Sequence, residues 1–232
     1  MSTERARLSA WQRAVSFFLK LVVILSAAVG IYLSTGAGRR AFMGGSRALM
    51  YFTIQSNILI AVICLVGGVL MLRKKPIPVA WQVVTFVGTV AIMLTGVVYC
   101  AMLAPLLGNY AWRLNNVLTH VVVPVAAILD FFVMGEGGRI LRRSVLLVTL
   151  PPLSYAVYAG IGYLAKWEFS DGVYYPYFFL NWGSPAGAFG FTDSLPYMGC
   201  VWWILLIFLF LIGVGWLYLA LLDRINGRKR AE

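Results

Sequence analysis

The stretch YMGCVWWILLIFLFLIGVGWLYLALL, residues 197–222, decides the fold. It carries no charged side chain until Asp223 and Arg224 end it. The hydrocarbon core of a bilayer is about 30 Å thick, and a helix needs about 20 apolar residues to cross it. Backbone N–H and C=O groups find no water at that depth, so only helices and closed barrels span. A barrel strand alternates apolar and polar over roughly ten residues, and this stretch does not alternate. It predicts a transmembrane helix.

Five more such runs lie upstream, at about residues 11–33, 48–72, 80–103, 114–134 and 144–164. The 232 residues are 61% hydrophobic and 12% charged, against roughly 25% charged in a soluble domain. Mean hydropathy is +0.85. The expected fold is all-α: a polytopic membrane protein, one six-helix transmembrane domain over residues 1–232, with no internal repeat.

The net charge of +11 would point to nucleic acid in a soluble protein. Here the basic residues fall in short loops, where they set topology instead, and no nucleic-acid partner is expected. Arg5, Arg7, Arg13, Arg73, Lys74, Lys75, Arg139, Arg142, Arg143, Arg224, Arg228, Lys229 and Arg230 share one side. Only Arg39, Arg40, Arg47, Arg113 and Lys166 lie on the other. The richer side is expected to be cytoplasmic, with both termini inside and the chain resident in the cell membrane. The first apolar run lacks an Ala-x-Ala-type site, so no removable signal peptide is expected. Cys64, Cys100 and Cys200 read as buried free thiols, though Cys100 and Cys200 share a depth that leaves a disulfide open.

The outer segment 165–196 is long for such a tight chain, and long loops are commonly functional. It is rich in rings, among them Tyr174, Tyr175, Tyr177, Phe178, Phe179 and Trp182. It is expected to lie at the membrane interface as a lid, or as an aromatic belt that only anchors the protein.

Polar residues inside a membrane mark function by default. Span two opens Tyr51-Phe52-Thr53-Ile54-Gln55-Ser56-Asn57, with Thr53 and Asn57 on one face. Span four opens Asn115-Asn116-Val117-Leu118-Thr119-His120, then Pro124; Asn116, His120 and Pro124 share a face in an α-helix. His120 is the only histidine. Counted from the outer ends of their spans, Thr53 and His120 both lie roughly 8–9 Å deep, near where a lipid ester sits. A hydroxyl beside a neutral imidazole is the pairing that acyl transfer requires, with amide donors such as Asn57 and Asn116 for the oxyanion. The same groups also serve as helix-packing glue. One histidine and scattered carboxylates do not make a metal site, and no cofactor is expected. Lys20 and Asp130 share the inner half and are expected to pair, with an ion or proton pathway as the alternative. Gly67, Gly68, Gly213 and Gly215 permit close helix contact.

Three marks recur in order: Thr53 in an aromatic-rich start of span two; His120, Pro124 and Asp130 along span four; and Tyr174-Tyr175-Pro176-Tyr177-Phe178 after span five. Together they resemble the androgen-induced-gene / ADTRP family of six-span membrane proteins, as a prokaryotic-type relative. The resemblance implies an integral-membrane threonine hydrolase of fatty acid esters of hydroxy fatty acids, with the nucleophile at Thr53 and the base at His120. Gln55, Ser56, Asn57 and Asn116 are then supporting residues, and Tyr175, Pro176 and Tyr177 cover the site. Ser56 is a rival nucleophile, about 300° around the helix from Thr53. Membrane lipids or lipid esters are the expected partners. The alternative is a carrier or scaffold that binds a lipid without chemistry.

Overall fold

The structure is a computed structural model that describes residues 9–36, 45–73, 77–135 and 140–231, with side chains through residue 227. Arg5, Arg7, Arg39, Arg40, Lys74, Lys75 and Arg139, and the side chains of Arg228, Lys229 and Arg230, lie outside the described residues. The protein is 79% helical with no strand among the described residues. Six helices there are long and apolar enough to cross a membrane: α1 Ala10–Gly36, α2 Phe52–Leu72, α3 Val79–Tyr110, α4 Leu114–Met134, α5 Arg142–Leu164 and α6 Cys200–Gly227. This is a multi-pass membrane protein. An even number of spans puts both termini at one end of the bundle, here the terminal end. The other is the lid end.

Helices α1 to α4 form a core in which α1 lies against α2 and α4, and α3 against α2 and α4. Val23, Ile60, Ile63, Ile92, Val123 and Ala126 fill its middle. Helix α6 packs on the first half of α5 and on α3, through Phe86, Phe131, Val145, Val148, Leu211 and Leu222. Gly135 ends α4 in the left-handed conformation (φ 61°) that favours glycine.

Three helices depart from regular α geometry, each beside a proline. Proline has no N–H to return to the carbonyl four residues back. Pro105 follows a π-helical turn at Tyr99–Leu103 in α3. Pro124 follows another at Leu118–Val122 in α4. Pro151 and Pro152 follow a 3-10 stretch at Arg142–Thr149 that opens α5. Gly96 of α3 faces the second π turn, where a Cβ would stand 2.8 Å from the His120 carbonyl oxygen. The absence of a side chain there lets α3 and α4 touch at the histidine.

Some boundaries shift from expectation. Helix α3 runs on to Tyr110 rather than ending near residue 103, because the π turn carries it past Pro105. Residues 45–50 form a separate 3-10 turn, so α2 begins at Phe52. Cys100 and Cys200 are free thiols and form no disulfide.

The segment after α5 is not a surface lid throughout. Its inner part plugs the lid end of the bundle, with Phe169, Tyr177, Phe179 and Leu180 buried against Tyr51 and Tyr155. The Tyr51 hydroxyl donates to the Phe169 carbonyl at 2.9 Å, and the Tyr177 and Phe179 rings stack 5.1 Å apart. Each such ring buries on the order of 150–250 Å², which explains why the segment tucks in. Its outer part leaves Phe189, Phe191 and Tyr197 exposed, as an interfacial belt does. Arg47 ties the plug to the turn before α2 through Glu168 (2.6 Å) and Asp171 (2.5 Å). The hydrogen bond that Arg47 donates to Asp171 raises the guanidinium pKa above its ordinary value.

Candidate active site

Helix α2 opens without a side-chain cap. Tyr51 precedes it in extended conformation, and the carbonyl of Tyr51 accepts from the N–H groups of Ile54 and Gln55. The earlier N–H groups of a helix have no partner inside it and gather the positive end of its dipole. Thr53 sits there, in the first turn. Its N–H points to the Tyr177 hydroxyl oxygen at 3.4 Å.

Thr53 is 4% exposed, as is His120. The Thr53 Oγ1 lies 3.2 Å from His120 Nε2. The other ring nitrogen, Nδ1, lies 3.0 Å from the Asn116 carbonyl oxygen and 3.0 Å from Thr119 Oγ1. A carbonyl only accepts, so Nδ1 bears the hydrogen. Thr119 spends its own proton on the Asn115 carbonyl at 2.8 Å, so its hydroxyl also accepts from Nδ1. Nε2 is therefore a bare acceptor aimed at the Thr53 hydroxyl, the tautomer a general base needs. The Tyr99 ring stacks on the imidazole, 3.7 Å between centroids and 20° from parallel. The Tyr99 hydroxyl donates to the Ala111 carbonyl. Ring and base are thus clamped, each beside its own π turn. Such turns are frequent at functional sites.

Tyr177 reaches Thr53 from the plug, with its hydroxyl 3.5 Å from Thr53 Oγ1. Burial pushes the Tyr177 phenol up from its ordinary value, so it stays protonated and can donate. Contacts of this length commonly tighten when substrate binds.

The remaining expected residues divide. Asn57, fully buried, gives both amide hydrogens to carbonyls, of Thr53 at 2.7 Å and of Thr119 at 3.1 Å. It staples α2 to α4 and has no donor left for an oxyanion; its Oδ1 has no partner among the described residues. Asn116 meets the imidazole through its backbone carbonyl, while its amide donates to the Tyr110 carbonyl at 3.1 Å. The π turn breaks the α-helical spacing that would have aimed this side chain with His120. Gln55 turns back to the Leu49 carbonyl, away from the site. Ser56 bonds to Thr95 Oγ1 at 2.7 Å and to the Thr53 carbonyl; neither partner is a base. Of the lid residues, Tyr177 enters the site; Pro176 is buried beside it and Tyr175 is half-buried, and neither lines the adjoining cavity. Tyr99, Thr95, Thr119 and Tyr155 were not among the expected residues. Thr119 adjoins the histidine in sequence, whereas Tyr99 and Tyr155 carry no signal beyond being rings in a span.

A cavity of about 60 Å³ opens beside Thr53, walled by apolar residues of α3, α5, α6 and the plug. A second polar cluster lies toward the terminal end. Lys20 and Asp130 form an ion pair, as their shared depth led one to expect. Ser16 donates to Asp130 at 2.5 Å and accepts from Lys20 at 3.0 Å. Gly67 makes room for the lysine stem, since a Cβ there would stand 3.1 Å from Lys20 Cε. Among the described residues no three His, Cys, Asp or Glu side chains gather into a metal site.

No family model, curated protein or solved structure matches the chain. Function is therefore read from the geometry of the site.

Proposed function

We propose that this protein is a membrane-embedded lipid ester hydrolase, with Thr53 as nucleophile and His120 as general base, of the androgen-induced-gene / ADTRP type that its motifs resemble. One observation carries the reading: Thr53 Oγ1 lies 3.2 Å from an Nε2 whose tautomer is locked by the Asn116 carbonyl. The proton of Thr53 passes to Nε2 as Oγ1 attacks the ester carbonyl carbon. The oxyanion forms against the Tyr177 hydroxyl. Collapse expels the alcohol oxygen, which takes the proton from Nε2. Water, deprotonated in turn by His120, attacks the acyl-threonine; Thr53 Oγ1 leaves, takes the proton back from Nε2, and the acid is released. The terminal end faces the cytoplasm, by its excess of basic residues. The site then lies in the outer half of the cell membrane, with fatty acid esters of hydroxy fatty acids as the substrate type.

The same apolar cavity favours a second reading, a carrier that holds a lipid reversibly. Fluorophosphonate labelling of the detergent-solubilised protein separates the two. We expect covalent labelling at Thr53 that vanishes in folded Thr53→Ala and His120→Ala proteins. A folded parent that takes no label, or a Thr53→Ala variant that labels as well as the parent, would reject the hydrolase.

A further inference from the structure

The cavity borders Thr53 and not His120. Thr53 and Tyr177 form its polar edge, and Leu94, Val98, Ala156 and Phe208 are among its walls. His120 is not part of the lining; it approaches Thr53 from α4. An ester attacked by Thr53 must present its leaving oxygen to Nε2, because that oxygen collects the proton. Its acyl arm then extends away from His120, into the cavity. The walls carry no charged side chain. The two other hydroxyls in them are engaged: Thr95 with Ser56 and the Ala91 carbonyl, Tyr155 with the Met50 carbonyl. An arm seated there is met by hydrocarbon.

The cavity holds about four to six water-sized groups at 10–15 Å³ each, so a long chain must leave it. The loosest seam beside the cavity runs between α5 and α6. The two helices pack where α5 begins: a Cβ on Gly215 would stand 3.0 Å from Val145 Cγ1. Beyond Thr149 they hardly touch, and the plug turn Phe178–Leu180 packs against both. The cavity is lined from both sides of this gap, by Ala156 of α5 and Phe208 of α6, and from above by Leu180. Outward-facing Val157 and Leu205 are exposed and apolar, so what lies outside the gap is lipid.

We propose that the gap between α5 and α6 is a lateral portal through which the acyl arm of the substrate enters from the bilayer. The first four to six or so carbons are read by the cavity, and the remainder stays in lipid. The site selects an unsubstituted hydrocarbon acyl arm and leaves the alcohol arm unspecified. The proposal rests on the hydrolase reading above.

The test uses ethyl alkylfluorophosphonates, graded from methyl to hexadecyl, on the full-length protein in lipid nanodiscs. Thr53 Oγ1 bonds to phosphorus, fluoride leaves, the proton passes to His120, and the alkyl group stands in for the acyl arm. The labelling rate is expected to rise to about hexyl and then hold level to hexadecyl. A hydroxyl on the third carbon should slow labelling about tenfold, since it is buried without a partner. Ala156→Trp fills the cavity from α5, and Ile207→Trp, at another lining position, fills it from α6. Either one, folded, should cut the hexadecyl-to-methyl rate ratio tenfold or more. Methyl labelling with a sharp loss above hexyl would mean a closed pocket and overturn the portal while leaving the hydrolase intact. An unchanged ratio in both folded variants would overturn it as well. Failure of every probe, methyl included, would remove the hydrolase reading and the portal with it.

Discussion

Helix α4 carries two buried titratable residues about three turns apart, His120 toward the lid end and Asp130 toward the terminal end, in different surroundings. Asp130 is saturated: Lys20 neutralises it and Ser16 holds its second oxygen. His120 is held just as firmly by Nδ1 and by the Tyr99 ring, yet its Nε2 meets only the Thr53 hydroxyl, and Thr53 in turn edges an apolar cavity. Both clusters are buried, both adjoin a cavity (Lys20 and Asp130 line one of about 40 Å³), and both link α4 to a neighbouring helix, so the difference lies in the bonds already made. A buried charge whose partners are all in place is costly to disturb and has nothing left to offer a ligand. A neutral base aimed at a hydroxyl, next to a cavity, has its chemistry still to spend. Burial alone therefore does not separate a fixture from a reactive group in a membrane; the unspent valence does.

Substitutions can break this contrast, and the largest effect is expected at the reactive end. His120→Ala should lower the rate of ester cleavage or probe labelling about 10³–10⁴-fold, while the protein melts close to the parent. A comparable loss of melting temperature would place His120 among the fixtures. Asp130→Asn should do the reverse. Leaving Lys20 buried and unpaired should cost about 3–5 kcal/mol of stability, as breaking a buried pair does. Urea or thermal unfolding in detergent measures this, and labelling at Thr53 should persist in the fraction that stays folded. Tyr177→Phe keeps the ring stack on Phe179 and removes only the hydroxyl. Labelling should fall about 10²-fold with unfolding unchanged, and an unaltered rate would take Tyr177 out of the oxyanion site. Thr119→Val removes one of two acceptors from Nδ1 and leaves the Asn116 carbonyl. A fall of only threefold to fivefold is expected, from the loss of a single hydrogen bond of about 1 kcal/mol.

The sequence alone carried the spans, because twenty-odd apolar residues admit few other fates in water or lipid. It also carried the Thr53–His120 pairing, since two helices entering from one face put residues of equal depth side by side. What it withheld follows from the π turns and the plug. Placing Asn116 on the His120 face assumes the α-helical period, which the turn at Leu118–Val122 interrupts; it is the Asn116 carbonyl, not the amide, that meets the imidazole. His-x-x-x-Pro nevertheless held the clue, because Pro124 cannot return an N–H to the His120 carbonyl. Tyr177 arrives from far along the chain, and its segment reads equally well as an interfacial belt until Tyr51 and Tyr155 are seen to receive it. The amides of Asn57 looked like spare donors, but whether a donor is spare depends on carbonyls that only the packed structure brings near.

A π turn holds one residue more than the α turn it replaces, and this gives α4 an unusual genetic arithmetic. Deleting the codon for Val121 or Val122 would let the helix rewind. The stretch on the lid side would then rotate by about 100° relative to Asp130. His120 would swing off Thr53 while Lys20 kept its partner and the bundle its shape. Read in the other direction, one inserted codon is enough to turn a plain structural helix into one that presents a base to its neighbour.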